Sequence, residues 1–257
     1  MAQILNPLAA HIRTVKQRLI IIGATMLVAL LVSFTFSGEM VAWLNRPFPN
    51  LLVFYGPTEA LFASIKVSLL AAIIASLPVI FYQCWKFIEP ALLPKEQRWG
   101  FPLFALAGGL FALGLTFCNL LILPLVINFF VSFGMDHDVT PLLSVGTYID
   151  FNVKFLLIFG CAFELPLVLS ILARVGVVSA QMLAKYRKYA IMAALILSAI
   201  VTPDATLVTM LLMAVPLMVL YEIGIIGARI FGRGGPTEVN LPLDPDLPIG
   251  PAGHRVR

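Results

Sequence analysis

FNVKFLLIFGCAFELPLVLSILARV, residues Phe151 to Val175, is the stretch on which the fold turns. It is apolar nearly throughout. At about 1.5 Å of rise per helical residue it is long enough to cross the roughly 30 Å hydrocarbon core of a bilayer. It therefore reads as a membrane-spanning helix. Its most informative interruption is Glu164, about midway along. A carboxylate near the bilayer centre costs roughly 2.5–3.5 kcal/mol on insertion scales, so it should face protein or water rather than lipid. Pro166 has no N–H to give the carbonyl of Ala162, which weakens the helix beside the carboxylate. From the residues alone, Glu164 either binds a polar group, holds a wet cavity or a proton, or is a protonated acid bonded to a neighbouring helix.

Working outward, the rest of the chain repeats this character. Apolar residues make up 60% of its 257 residues and charged ones 12%, and mean hydropathy is +0.99; a soluble domain carries about 25% charged residues. Six apolar segments can be drawn, roughly 19–37, 65–88, 101–128, 151–175, 189–203 and 206–228. The expected fold is an all-α polytopic membrane protein. The first block follows a basic stretch and lacks an A-x-A site, so it reads as a retained span rather than a signal peptide.

Lys and Arg near span ends resist translocation. With the N-terminus inside, all 17 of them except Arg46, Lys66 and Lys154 fall on the cytoplasmic side. Both termini are then cytoplasmic, which requires an even number of spans, and six fits. The outer loop 38–64 is rich in turn formers, among them Pro47 in Arg46-Pro47-Phe48-Pro49-Asn50. Within it Thr58 is placed to cap a short helix, with Glu59 in its first turn. A second outer loop is expected around 129–149. The fifth and sixth helices read as short: Tyr189 to Thr202 gives about 21 Å of helix, less than a typical core, so this side is expected to thin the bilayer. Residues 1–231 form the membrane domain, and the Pro- and Gly-rich 232–257 a disordered cytoplasmic tail. No internal repeat is present, so the inverted-repeat design of many transporters gets no support.

Few other polar residues enter the apolar blocks. Gln83 lies toward the cytoplasmic end of the second span, beside Trp85. Asn119 and Glu222 read as interhelical glue, and the single cysteines Cys84, Cys118 and Cys161 as packing residues. Glu89 and Glu96 stand in a cytoplasmic loop that is otherwise basic. Carboxylates pair with guanidinium groups through charge-assisted hydrogen bonds, but from composition alone the favoured reading is a solvated loop whose acids pair with Lys95 and Arg98. No phosphate-binding G-x-x-x-x-G-K-[ST], no G-x-S-x-G and no H-E-x-x-H occurs. His11, His137 and His254 are far apart. Neither a catalytic residue, a metal site nor a cofactor is expected, and the pI near 9.1 suits anionic lipid rather than nucleic acid. The chain reads as a receptor or conduit.

Taken in order, the motifs are specific. Pro78-Val79-Ile80-Phe81-Tyr82-Gln83-Cys84-Trp85-Lys86-Phe87-Ile88-Glu89-Pro90 resembles the TatC pattern P-x-x-x-Y-Q-x-W-x-F-I-x-P, followed by Glu96 and Arg98. Phe159-Gly160 through Phe163-Glu164-Leu165-Pro166 matches F-G-x-x-F-E-[LV]-P. Arg187-Lys188-Tyr189, Thr202-Pro203-Asp204, Ala214-Val215-Pro216 and Tyr221-Glu222 follow in order, over about residues 7–231. The resemblance implies a cup of six tilted helices in the bacterial inner membrane. It implies a receptor for the twin-arginine signal peptides of folded cargo, assembling TatA- and TatB-type single-span partners in an oligomeric complex with the proton-motive force. It places Glu96 at the glutamate that reads the arginine pair, Phe87 at a nearby aromatic position, Lys16 and Arg18 in the N-terminal motif, and Glu164 at the intramembrane glutamate of the concave side.

Two departures stand out. The family's H-L-x-E-L-R-x-R-L appears as His11-Ile12-Arg13-Thr14-Val15-Lys16-Gln17-Arg18-Leu19, so one expected carboxylate is Thr14. Glu89 is expected to compensate in part. The T-P-P-D-x-x-S-Q pattern at the sixth span lacks its glutamine. The competing reading is a small-solute secondary transporter with Glu164 as its proton-coupling site.

Overall fold

The computed structural model describes residues 2–45, 52–53, 55–88, 100–135, 143–202 and 206–232. Within them helices dominate: α1 (Ala2–Thr35), α2 (Ser37–Asn45), α3 (Pro57–Ile88), α4 (Gly100–Phe117), α5 (Leu123–Met135), α6 (Val145–Phe163), α7 (Leu165–Val175), α8 (Ala180–Lys185), α9 (Arg187–Val201) and α10 (Leu207–Phe231). A π-helical turn, Cys118–Ile122, joins α4 to α5. Two short strands, β1 (Leu52–Val53) and β2 (Leu143–Ser144), pair in parallel. The all-α expectation holds apart from this ladder.

Among the described residues five segments are long and apolar enough to cross a membrane: Val15–Thr35, Thr58–Phe87, Pro102–Ser132, Val145–Val175 and Leu207–Phe231. The helix α9, with 15 residues, reaches only about 22 Å. Its shortness agrees with the sequence, but α10 does not share it. At 25 residues α10 spans about 37 Å, because Pro216 is carried inside the helix and Arg229 to Phe231 extend it past the drawn end.

Three boundaries differ from the sequence reading. Thr58 opens no separate short helix: α3 runs unbroken for 32 residues with Pro57 at its start and Pro78 inside, since no breaker stands between them. The loop 38–64 also contains α2. The second outer loop is shorter than drawn, because Phe129-Phe130-Val131 carry α5 on to Met135 and Ser144 caps α6 from Val145. Pro47, Glu89, Glu96, His137, residues 203–205 and nearly all of the tail lie outside the described residues.

The helix α6 is the axis of the bundle. Its Val145, Ile149, Phe155 and Phe159 are fully buried, and it packs on α3, α4 and α9; α1 lies on α3, and α7 on α10. Between helices in lipid there is little hydrophobic gain, so association depends on close packing and interhelical hydrogen bonds. Gly160 shows how. A Cβ there would lie 2.6 Å from the Phe111 ring, so only glycine admits the aromatic side chain of α4. Phe117 stacks at 5.9 Å from Phe159 and 5.4 Å from Phe163. Cys118 is buried in this packing, whereas Cys84 and Cys161 lie exposed on helix surfaces rather than packed as expected.

Candidate functional site

At the end of the bundle where α3 finishes, the half-buried Arg18 of α1 donates from Nη1 to the backbone carbonyl of Gln83 at 3.2 Å. That carbonyl stands in the last turns of α3, where the helix dipole favours a cation. The contact pins α1 to α3 just before Ile88, where the described part of this helix ends. Phe87, one turn further on, is 54% exposed, and Lys16 is exposed on α1. The structure thus gathers Arg18, Gln83 and Phe87 at one end.

Side-chain contacts also tie α10 to α9 and α8. Arg187 Nη2 donates to Glu222 Oε2 at 2.8 Å, and the Tyr221 hydroxyl donates to the carbonyl of Leu183 at 2.9 Å. Glu222 is interhelical glue, as its setting in the sequence implied.

In mid-bundle, the α6–α7 helix breaks at Glu164. Its N–H reaches back to Cys161 O at 3.2 Å, and Pro166 opens α7. The break follows from the N–H that Pro166 lacks. One carboxyl oxygen, Oε1, is buried without a hydrogen-bond partner, which in a native structure marks a strained or functional group. No hydrogen bond or ion pair joins Glu164 to Arg18, Lys16 or Phe87 among the described residues, so mid-bundle acid and helix-end cluster are separate features.

The opposite end is held by Glu59. Its Oε2 accepts from the Tyr55 N–H at 2.8 Å. Its Oε1 accepts from the Gly146 N–H at 2.8 Å and from the Ser144 hydroxyl. Ser144 Oγ in turn accepts from the Thr147 N–H at 3.2 Å, capping α6. Around this clasp, the Tyr148 hydroxyl donates to Leu44 O at 3.0 Å, and Lys66 pairs with Asp150. Glu59 was singled out in the sequence as a first-turn acid; its partners were not. The signal that could have found them is the Ser144-x-x-Thr147 start of α6, a recognisable capping site.

Asn119 departs from expectation. It makes no interhelical hydrogen bond among the described residues. Instead it sits in the π turn, which the missing N–H of Pro124 favours, and lines a groove of about 830 Å³ bounded by α1–α2, α3, α4 and α6. Among the described residues there is no cluster of three or more His, Cys, Asp or Glu fit to hold a metal.

Comparison with known proteins gives a consistent match. A family profile described as TatC, Sec-independent protein translocase protein, matches residues 10–216. The Aquifex aeolicus protein named Sec-independent protein translocase protein TatC is 40% identical over 233 residues, covering 88% of this chain and 96% of the relative. The protein of that name from Desulforapulum autotrophicum is 38% identical over 234 residues, covering 89% and 86%. A crystal structure described as the twin arginine translocase receptor TatC superposes with a TM-score of 0.79 at 40% identity, covering 87% of this chain and all of its own.

Proposed function

We infer the function of this chain from its family, for the chain belongs to the TatC family of Sec-independent protein translocase proteins. It is a multi-pass membrane component of the twin-arginine translocase. Within that system it acts as the receptor: it binds the twin-arginine signal peptides of folded cargo and organises TatA- and TatB-type single-span partners in an oligomeric complex. It spans the bacterial inner membrane six times with both termini cytoplasmic, and it works by binding rather than catalysis.

The observation that best supports this is the Arg18–Gln83 contact at 3.2 Å. It ties the middle of α1 to the last turns of α3, where Phe87 stands exposed and where the segment bearing Glu89 and Glu96 begins. Glu96 then accepts paired hydrogen bonds from a guanidinium of the arginine pair, a geometry an ammonium cannot reproduce. Phe87 offers an apolar face to the peptide beside the pair. Glu89 supplies the acid that the N-terminal motif lacks at Thr14. Arg18 holds the frame, Lys16 stands on the same rim, and Gln83 supplies the anchoring carbonyl. Pro47 and Glu59 serve the architecture of the opposite end, and Glu164 is the polar group of the concave side. The membrane domain covers 1–231, leaving 232–257 as a separate tail.

The test is binding of Arg-Arg and Lys-Lys signal peptides to the purified chain and to its Glu96→Gln and Glu89→Gln variants. Losing one charge-assisted contact corresponds to roughly ten- to hundredfold weaker binding, expected for Glu96→Gln and, to a smaller extent, Glu89→Gln. Equal affinity for the two peptides would overturn the receptor reading; an unaffected Glu89→Gln would remove only the compensation. The transporter alternative is not favoured by the family assignment, and it requires solute-dependent proton flux from this chain alone in liposomes.

A further inference from the structure

The groove of about 830 Å³ has a volume in the range of ligand-binding clefts, and none of Lys16, Arg18, Gln83, Phe87 and Glu164 lines it. Its wall is apolar, with Met40, Leu70, Ile74 and Leu115 among its residues, and among the described residues Glu39 is its only charged member. Glu39 is exposed in the first turn of α2, and no hydrogen bond or ion pair engages it among the described residues. Asn119 is likewise unengaged. Thr116, the third polar member, is satisfied by the carbonyl of Ala112 at 2.8 Å.

The groove has a direction. Glu39 and Trp43 belong to α2, just past the end of the Val15–Thr35 span, and the residues that follow an apolar span of this length fall at the headgroup level of a bilayer. Trp43 is 53% exposed, as suits an indole at a membrane interface. Ile74, Leu115 and Asn119 lie well inside the spans Thr58–Phe87 and Pro102–Ser132. An occupant must therefore carry a cation at the headgroup end and an apolar body running toward the bilayer interior. A soluble ligand would leave the wall unfilled, and an anionic lipid would place like charge against Glu39.

We propose that this groove is a binding site for an ammonium-bearing phospholipid of the phosphatidylethanolamine class, its headgroup amine paired with Glu39 and an acyl chain laid between α3 and α4. The amine donates to the carboxylate, and the Asn119 carboxamide is left to meet the lipid's ester oxygens or a bound water. The site selects one headgroup class from the bilayer through a single fixed charge.

The experiment uses the full chain carrying Trp85→Phe and Trp99→Phe, so that Trp43 is the lone indole, in vesicles of phosphatidylethanolamine and phosphatidylglycerol. Bromine is placed on the acyl chains of one lipid or the other, and quenching of Trp43 is compared at equal mole fraction. The ethanolamine lipid is expected to quench at least about twofold more, the scale of one exposed charge contact. Glu39→Gln should abolish the preference and Glu39→Asp should keep it. Equal quenching by the two lipids in the single-tryptophan chain that keeps Glu39, or a preference that survives Glu39→Gln, overturns the proposal. So does a Trp43 that neither lipid quenches, since the groove would then be filled by protein.

Discussion

Glu59 Oε1 accepts a hydrogen bond at 2.8 Å from the backbone N–H of Gly146, 87 positions later in the chain. One carboxylate at the start of α3 thereby holds the start of α6, while its other oxygen holds Tyr55. Removing it should loosen the whole end of the bundle. Glu59→Ala is expected to lower the thermal midpoint in detergent and to expose the chain near Tyr55 to protease, and Glu59→Gln should do so less. An unchanged midpoint and cleavage pattern for Glu59→Ala would mean that the clasp carries no stability.

Gly160 is expected to resist any added side chain. A Cβ would sit 2.6 Å from the Phe111 ring, so Gly160→Ala forces α4 and α6 apart and costs about 1–3 kcal/mol by overpacking. Equilibrium unfolding in mixed micelles measures this. Pairing it with Phe111→Leu, which vacates the space, should recover part of the loss; no recovery would locate the strain elsewhere.

Lys66 and Asp150 form an ion pair between α3 and α6, each about two-fifths exposed at 40% and 37%. For such partly exposed groups a double-mutant cycle with Lys66→Met and Asp150→Asn is expected to return a coupling of about 0.2–1 kcal/mol. A coupling of zero within error would reduce the pair to a neighbourly contact.

Glu164 should separate stability from function. Its buried Oε1 lacks a partner, and an unsatisfied polar group of this kind costs about 1–3 kcal/mol. Glu164→Leu is therefore expected to leave the purified chain as stable or more stable, while impairing export of folded cargo. If the variant unfolds more readily than the parent, the carboxyl has a structural partner; if export is unimpaired, the acid is dispensable.

Much of the architecture was legible in the linear chain. Long apolar runs commit their segments to helix because lipid offers the backbone no other partners. The Glu164–Pro166 break was readable because a proline's missing N–H acts within one turn. Glu222 was legible as helix glue, though not its partner Arg187. The site was less so. Arg18 and Gln83 each belonged to a recognisable motif, yet nothing local says that the guanidinium of one meets the carbonyl of the other. The extents of α3 and α5 were misjudged because turn-forming and charged residues near a span end were read as loop. Lys66 inside α3 is tolerated because Asp150, from another helix, neutralises it.

Composition, the order of the apolar blocks and the ordered motifs were sufficient by themselves for a polytopic helical membrane protein of the TatC family, since each depends only on neighbouring residues and the solvent they meet. The Glu59 clasp, the single short α9 beside a full-length α10, and the groove headed by Glu39 were decided by tertiary packing. Each depends on which helix faces which across lipid, where contact geometry rather than hydrophobicity selects the neighbour.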